Sequence, residues 1–84
     1  MFNLNFIIMK KSEFTKTIKK TMFQVVYSSK HDTFHITCKS HYIVGGKFNS
    51  IEKIDVNDIT VHIYFKGAIL TLWRNVENYH ITLF

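Results

Sequence analysis

The spacing of hydrophobic and polar residues changes near residue 22. Before it, Phe14, Ile18 and Met22 recur at i, i+4 and i+8, which places one apolar stripe along a helix. Ser12 stands where an N-cap is wanted, and the spacing predicts a short helix over residues 13–20. Thr15, Thr17 and Thr21 weigh against it, because β-branched side chains lose rotamer freedom in a helix. Beyond Met22 the period becomes two, that of a strand. Residues 23–27 read as a strand and 28–32 as its turn. Residues 33–39 alternate, with Phe34, Ile36 and Cys38 on one face and Thr33, His35, Thr37 and Lys39 on the other. Residues 42–44 continue the extended chain to Gly45-Gly46, the one double-glycine turn signal. A weaker strand follows at 51–56. Residues 59–65, 68–74 and 79–84 then form a meander.

A tight turn at Lys66-Gly67 pairs Phe65 with Ala68, Ile63 with Leu70 and Val61 with Leu72. A turn over residues 75–78 pairs Arg74 with Tyr79, Leu72 with Ile81 and Leu70 with Leu83. One face then holds Val61, Ile63, Phe65, Leu70, Leu72, Ile81 and Leu83, which is a core face. The other holds Thr60, His62, Tyr64, Ile69, Thr71, Trp73, His80, Thr82 and Phe84. A face meant only for water does not carry so many rings. Its partner-binding candidates are Tyr64, Trp73, His80, His62 and Phe84.

Composition narrows the class. The chain has 84 residues, 46% hydrophobic and 15% aromatic, with three Gly and no Pro. That is a globular composition with few loops, too short for a two-domain enzyme, a TIM barrel or a full dinucleotide-binding fold. The expected architecture is one α+β domain over 1–84: a short basic N-terminal helix packed on a five- or six-stranded, mainly antiparallel sheet ending in the meander.

The net charge of +5 is localised. Residues 1–30 carry six lysines against Glu13, and residues 31–84 carry five cations against five acids. Lys10, Lys11, Lys16, Lys19 and Lys20 are therefore the polyanion-binding candidates, although such a run commonly serves only as a solvated helix face. Residues 1–9 are apolar, but Asn3 and Asn5 interrupt them and the lysines follow rather than precede them. That is a poor signal peptide, and nine residues fall short of the about 20 a bilayer span needs. They are expected to be a flexible extension or an added edge strand, with Met1 or Met9 as the start. The expected setting is cytoplasmic, without membrane contact.

The chemistry-bearing residues form no catalytic constellation. The chain lacks H-E-x-x-H, G-x-S-x-G and a phosphate-cradling glycine loop. Glu52, Asp55 and Asp58 flank a strand and read as turn and edge charges. Cys38 is the single cysteine, so no intrachain disulfide forms, and it reads as a small core residue. His35, His62 and His80 point outward from three strands, a weak metal signal that is expected to be ordinary cross-strand packing. No cofactor and no metal are expected.

Aromatic residues on a sheet beside lysines are the ingredients for stacking bases and neutralising phosphates, yet one arginine leaves little for base reading. The expected function is non-catalytic: docking on a protein or nucleoprotein partner, inhibiting or modulating a nucleic-acid-processing complex. Weakly selective nucleic-acid binding through the same residues is the second reading. A structural homo-oligomer, joined as a homodimer through the C-terminal edge strand, is the third. The residue usage (Ile, Lys, Asn, Phe and Tyr high, Ala and Pro scarce) looks like coding from an AT-rich genome. In size and style the chain is similar to phage-encoded inhibitors such as anti-CRISPR proteins, with no shared motif.

Overall fold

A computed structural model describes residues 10–84; the expectations for residues 1–9 lie outside the described residues. The helix α1 spans Lys11–Ile18, two residues earlier than the apolar spacing predicts. Lys10 rather than Ser12 is its N-cap, and the Glu13 carboxylate accepts from the Lys10 backbone N–H at 3.4 Å. Thr21 stops the helix: its hydroxyl donates to the Ile18 carbonyl (2.6 Å) and accepts from the Phe23 N–H (3.0 Å). The stripe is thereby cut short. Phe14 and Ile18 are fully buried, Met22 is exposed, and Phe23 takes the inside position.

Seven strands follow, in two antiparallel sheets rather than one of five or six. The first contains β1 (Gln24–Ser28), β2 (Thr33–Cys38) and β3 (His41–Lys47). The second contains β4 (Ile51–Val56), β5 (Thr60–Phe65), β6 (Ala68–Trp73) and β7 (Tyr79–Leu83), in that spatial order. A 3₁₀ turn at Phe48–Ser50 breaks the ladder between β3 and β4 and lets the chain change sheets. Phe48 anchors that turn, packing edge-on against Phe14 at 5.7 Å and Tyr27 at 6.0 Å.

Gly45-Gly46 is not a turn. Both glycines lie inside β3, opposite His35 and Phe34. A Cβ on Gly45 would sit 2.6 Å from the Phe34 carbonyl oxygen and 2.5 Å from the His35 ring, so this glycine permits close approach rather than reversal. The reversal falls at Lys39 and Ser40, whose φ values of 51° and 68° make a two-residue hairpin with both central residues left-handed.

The β5–β6 hairpin has the predicted register residue for residue, from Phe65 opposite Ala68 to Val61 opposite Leu72. Its turn uses Gly67 at φ +85°. The β6–β7 register is displaced by two residues: Leu72 opposes Tyr79 and Leu70 opposes Ile81. Arg74 lies just beyond β6 and faces β5. Its N–H donates to the Ile59 carbonyl (2.8 Å), and its guanidinium donates to the Asn57 carbonyl (2.8 Å) and the Lys20 carbonyl (3.4 Å). On the other edge of β6 the Trp73 N–H donates to the Asn78 carbonyl (3.1 Å), which closes the turn over residues 74–77 and sets the displaced register.

One core joins all three layers. Phe14 and Ile18 of the helix meet Phe34 and Ile36 of β2 and Val61, Ile63, Leu70 and Leu72 of β5 and β6. Burying each such side chain contributes roughly 1.5–3 kcal/mol. Phe34 stacks on Phe65 with centroids 6.0 Å apart, joining the two sheets. Cys38 is half-buried against this core, as its alternation predicts. Ile81 and Leu83 do not belong to it: β7 overhangs the covering layer, leaving Ile81 40% and Leu83 77% exposed.

Candidate interaction face

The outer face of the four-stranded sheet is set by strand alternation. From β4 come Lys53 and Asp55, from β5 Thr60, His62 and Tyr64, from β6 Ile69, Thr71 and Trp73, and from β7 His80 and Thr82. Asp55, His62, Thr71 and His80 form one cross-strand row; Lys53, Tyr64, Ile69 and Thr82 form the next. The five partner-binding candidates thus share one surface. His62, Tyr64 and Trp73 are half-buried, His80 is exposed, and Phe84, just beyond β7, is 80% exposed.

The centre of this face is held by hydroxyls. The His62 ring nitrogens lie 3.0 Å from Thr60 Oγ1 and 2.9 Å from Thr71 Oγ1, and both threonines are buried. Asn57 fixes Thr60 in turn, donating to its hydroxyl at 3.0 Å and accepting its backbone N–H at 2.8 Å. With both nitrogens engaged, His62 reads as a locked packing residue rather than a metal ligand. The Tyr64 ring lies 6.5 Å from the His62 ring and carries the Lys53 ammonium 4.7 Å above its centre.

Lys53 and Asp55 belong to this face, although reading residues 52–58 as turn and edge charges passes over it. Strand alternation through Ile54 and Val56 was the available signal. A bulge between Ile51 and Lys53 obscured it.

The three outward histidines do not converge. His35 lies in the first sheet, edge-on to Tyr42 at 5.3 Å. Among the described residues, no group of three or more His, Cys, Asp or Glu side chains could hold a metal ion. A hollow of about 110 Å³ between α1 and β1, lined by Thr15, Ile18, Phe23 and Val25 among others, is small beside the roughly 300–1,000 Å³ of ligand sites.

The lysine candidates divide into two groups. At 100° per residue, Lys11 falls beside the buried Phe14–Ile18 stripe. It pairs with Asp32 at 3.8 Å and lies over the Tyr27 and Phe48 rings. Lys16, Lys19 and Lys20 fall on the far, exposed side, and Lys10 is exposed at the N-cap. Among the described residues, none of these four has an ion-pair partner. Because the buried stripe of α1 shares one core with the inner residues of the four-stranded sheet, the helix lies on the side of that sheet opposite the aromatic face.

Among the described residues, two titrating groups are shifted. Burial pushes the Tyr27 phenol above its ordinary value, partly offset by the Thr15 hydroxyl at 2.9 Å. The Glu77 carboxylate, 2.9 Å away, raises the Lys39 ammonium through its hydrogen bond and its charge. No helix among the described residues is long and apolar enough to cross a membrane. Comparison of the chain with protein-family models, curated proteins and solved structures found no match.

Proposed function

We propose that this chain is a non-catalytic interaction protein that docks on a protein or nucleoprotein partner with the outer face of its four-stranded sheet, inhibiting or modulating a nucleic-acid-processing complex. The observation that carries the reading is the composition and fixity of that face. Tyr64 and Trp73 stand half-exposed around a His62 whose two nitrogens are already engaged by Thr60 and Thr71. Large rings on a rigid, flat, polar-rimmed surface suit an interface hot spot, because little side-chain entropy is lost on docking. The nucleic-acid-processing partner rests on the helix lysines, a second surface drawn to acidic or phosphate-bearing partners.

Capture of partner from the native host tests this with two variant sets. Tyr64→Ala and His80→Ala reduce capture at least about tenfold, the loss of one hot-spot residue of about 1.4 kcal/mol or more. Replacing Lys16, Lys19 and Lys20 with Ala lowers the association rate and its salt dependence, leaving the fold within about 0.5 kcal/mol. Capture unchanged by both face variants, with folding verified by circular dichroism, contradicts the reading.

Direct nucleic-acid binding is supported by the exposed Lys16, Lys19 and Lys20. With the sheet between them and the aromatic rings, these lysines act on phosphates without base stacking. Such binding is weak, insensitive to sequence and steeply lost with salt. Fluorescence anisotropy with single-stranded and duplex oligonucleotides at low and physiological salt decides it; no binding at low salt removes this reading.

A further inference from the structure

The edges of the four-stranded sheet differ. Strand β4 is guarded by the bulge at Ile51/Lys53 and by exposed Glu52, Lys53 and Asp55. Strand β7 contains no Lys, Arg, Asp, Glu or Pro, its ladder to β6 is regular, and all five of its residues are exposed. It therefore lacks the devices that keep an edge from pairing.

Among the described residues no strand pairs with the outer edge of β7, and the groups it presents there follow from the ladder. The Trp73 N–H donates to the Asn78 carbonyl and the Phe84 N–H to the Gly67 carbonyl. Even-numbered residues of this strand thus bond toward β6, and by alternation Tyr79, Ile81 and Leu83 turn their N–H and C=O groups to the open edge. The same three residues point their side chains to the inner face, where Tyr79 is 42% exposed and reaches Phe23 at 6.4 Å.

The geometry points to a second copy of this chain as the occupant: β7 pairs antiparallel with β7 of another copy about a two-fold axis at Ile81. This register uses all three outward residues of both copies, with Ile81 opposite Ile81 and Tyr79 opposite Leu83. Each pair forms two backbone hydrogen bonds. Shifting the axis to His80 or Thr82 leaves one outward residue of each copy without a partner inside the strand.

The side chains match in this register. On the inner side the exposed Tyr79, Ile81 and Leu83 cover one another and extend the core. On the outer side His80 faces Thr82, repeating the imidazole–hydroxyl pair that His62 and Thr71 already form across β5 and β6 at 2.9 Å. No Lys, Arg, Asp or Glu side chains meet, since the strand contains none. The product is a continuous eight-stranded sheet with the interaction face doubled. The pairing differs from the proposed docking in using the edge and inner side of β7, and it meets the docking face only where His80 faces Thr82.

Sedimentation equilibrium of the full chain from about 10 µM to about 1 mM is the test. The mass is expected to rise from 10.0 kDa toward about 20 kDa, and amide exchange at Tyr79, Ile81 and Leu83 to slow as concentration rises. Ile81→Lys sets two ammonium groups across the axis, and its side chain lies where the fold leaves room. It is expected to stay monomeric with an unchanged circular dichroism spectrum. Ile81→Pro, which removes an outward N–H and no bond to β6, is the second variant and is expected to be monomeric too. A monomer at about 1 mM overturns the proposal, as does dimerisation of Ile81→Lys equal to the parent's. So does slow exchange at those amides independent of concentration in a monomer, which would assign the edge to the chain's own residues 1–9.

Discussion

Three residues show how local chemistry bears on stability. Ser40 adopts φ 68° without the freedom of glycine or the side-chain amide of asparagine. Ser40→Gly relieves that conformation and should raise stability by about 0.5–1 kcal/mol, read as a higher denaturant midpoint with unchanged slope. Gly45 is the converse. Its missing Cβ leaves room for the Phe34 carbonyl and for the His35 ring packed against Tyr42. Gly45→Ala forces the β2–β3 ladder apart and should cost about 1–3 kcal/mol by the same measurement. Tyr27 donates from its hydroxyl to the Lys11 carbonyl at 3.0 Å and meets Thr15 at 2.9 Å, so Tyr27→Phe should cost about 1 kcal/mol at neutral pH. The raised Tyr27 value adds a pH signature. The folded state holds the phenol proton more tightly than the unfolded state. Its contribution is therefore whole below the ordinary tyrosine value of about 10, and is lost as pH rises through the folded-state value. Denaturant titrations from pH 9 upward should show a shallower decline in Tyr27→Phe than in the parent. Lys39 tilts the same way, but it is exposed and screened, and it is present in both proteins.

At the scale of elements, the helix is held by its buried stripe more than by its eight residues of sequence. Ile18→Ala removes a fully buried side chain between helix and sheets and should cost about 2–5 kcal/mol in chemical unfolding. What was legible in the sequence followed strict alternation. Phe65, Gly67 and Ala68 give the β5–β6 register, because a short turn and a two-faced strand leave one pairing, and residues 51–56 form β4 as read even though a bulge interrupts their alternation. What was not legible depended on tertiary partners. The Lys39-Ser40 hairpin carries neither Gly nor Asn, so its turn has no sequence signal. Gly45-Gly46 carried the signal but serves packing. The turn after β6 closes at Trp73 and Asn78, and the Arg74 guanidinium bonds to carbonyls at Asn57 and Lys20, which are distant in sequence. The candidate face survived these errors because the β6–β7 register slipped by two, an even number that leaves every side chain on its own side.

For the whole molecule, the division into two sheets decides which surfaces act together. The helix and the three-stranded sheet cover one side of the four-stranded sheet, and their side chains meet in a single core. The opposite side carries Tyr64, Trp73 and His80, with both His62 ring nitrogens engaged by Thr60 and Thr71. The lysine stripe lies beyond the core from these rings. A partner gripping the rings therefore need not touch Lys16, Lys19 or Lys20, and salt should alter how fast it arrives more than how firmly it stays. Trp73 belongs to the exposed side and is absent from the core cluster, which makes it the most direct probe of the account. Partner capture and thermal unfolding are measured on one preparation of Trp73→Ala. The account predicts that capture falls at least about tenfold while unfolding stays cooperative. An unfolded Trp73→Ala, or a folded one that captures partner as the parent does, would contradict it.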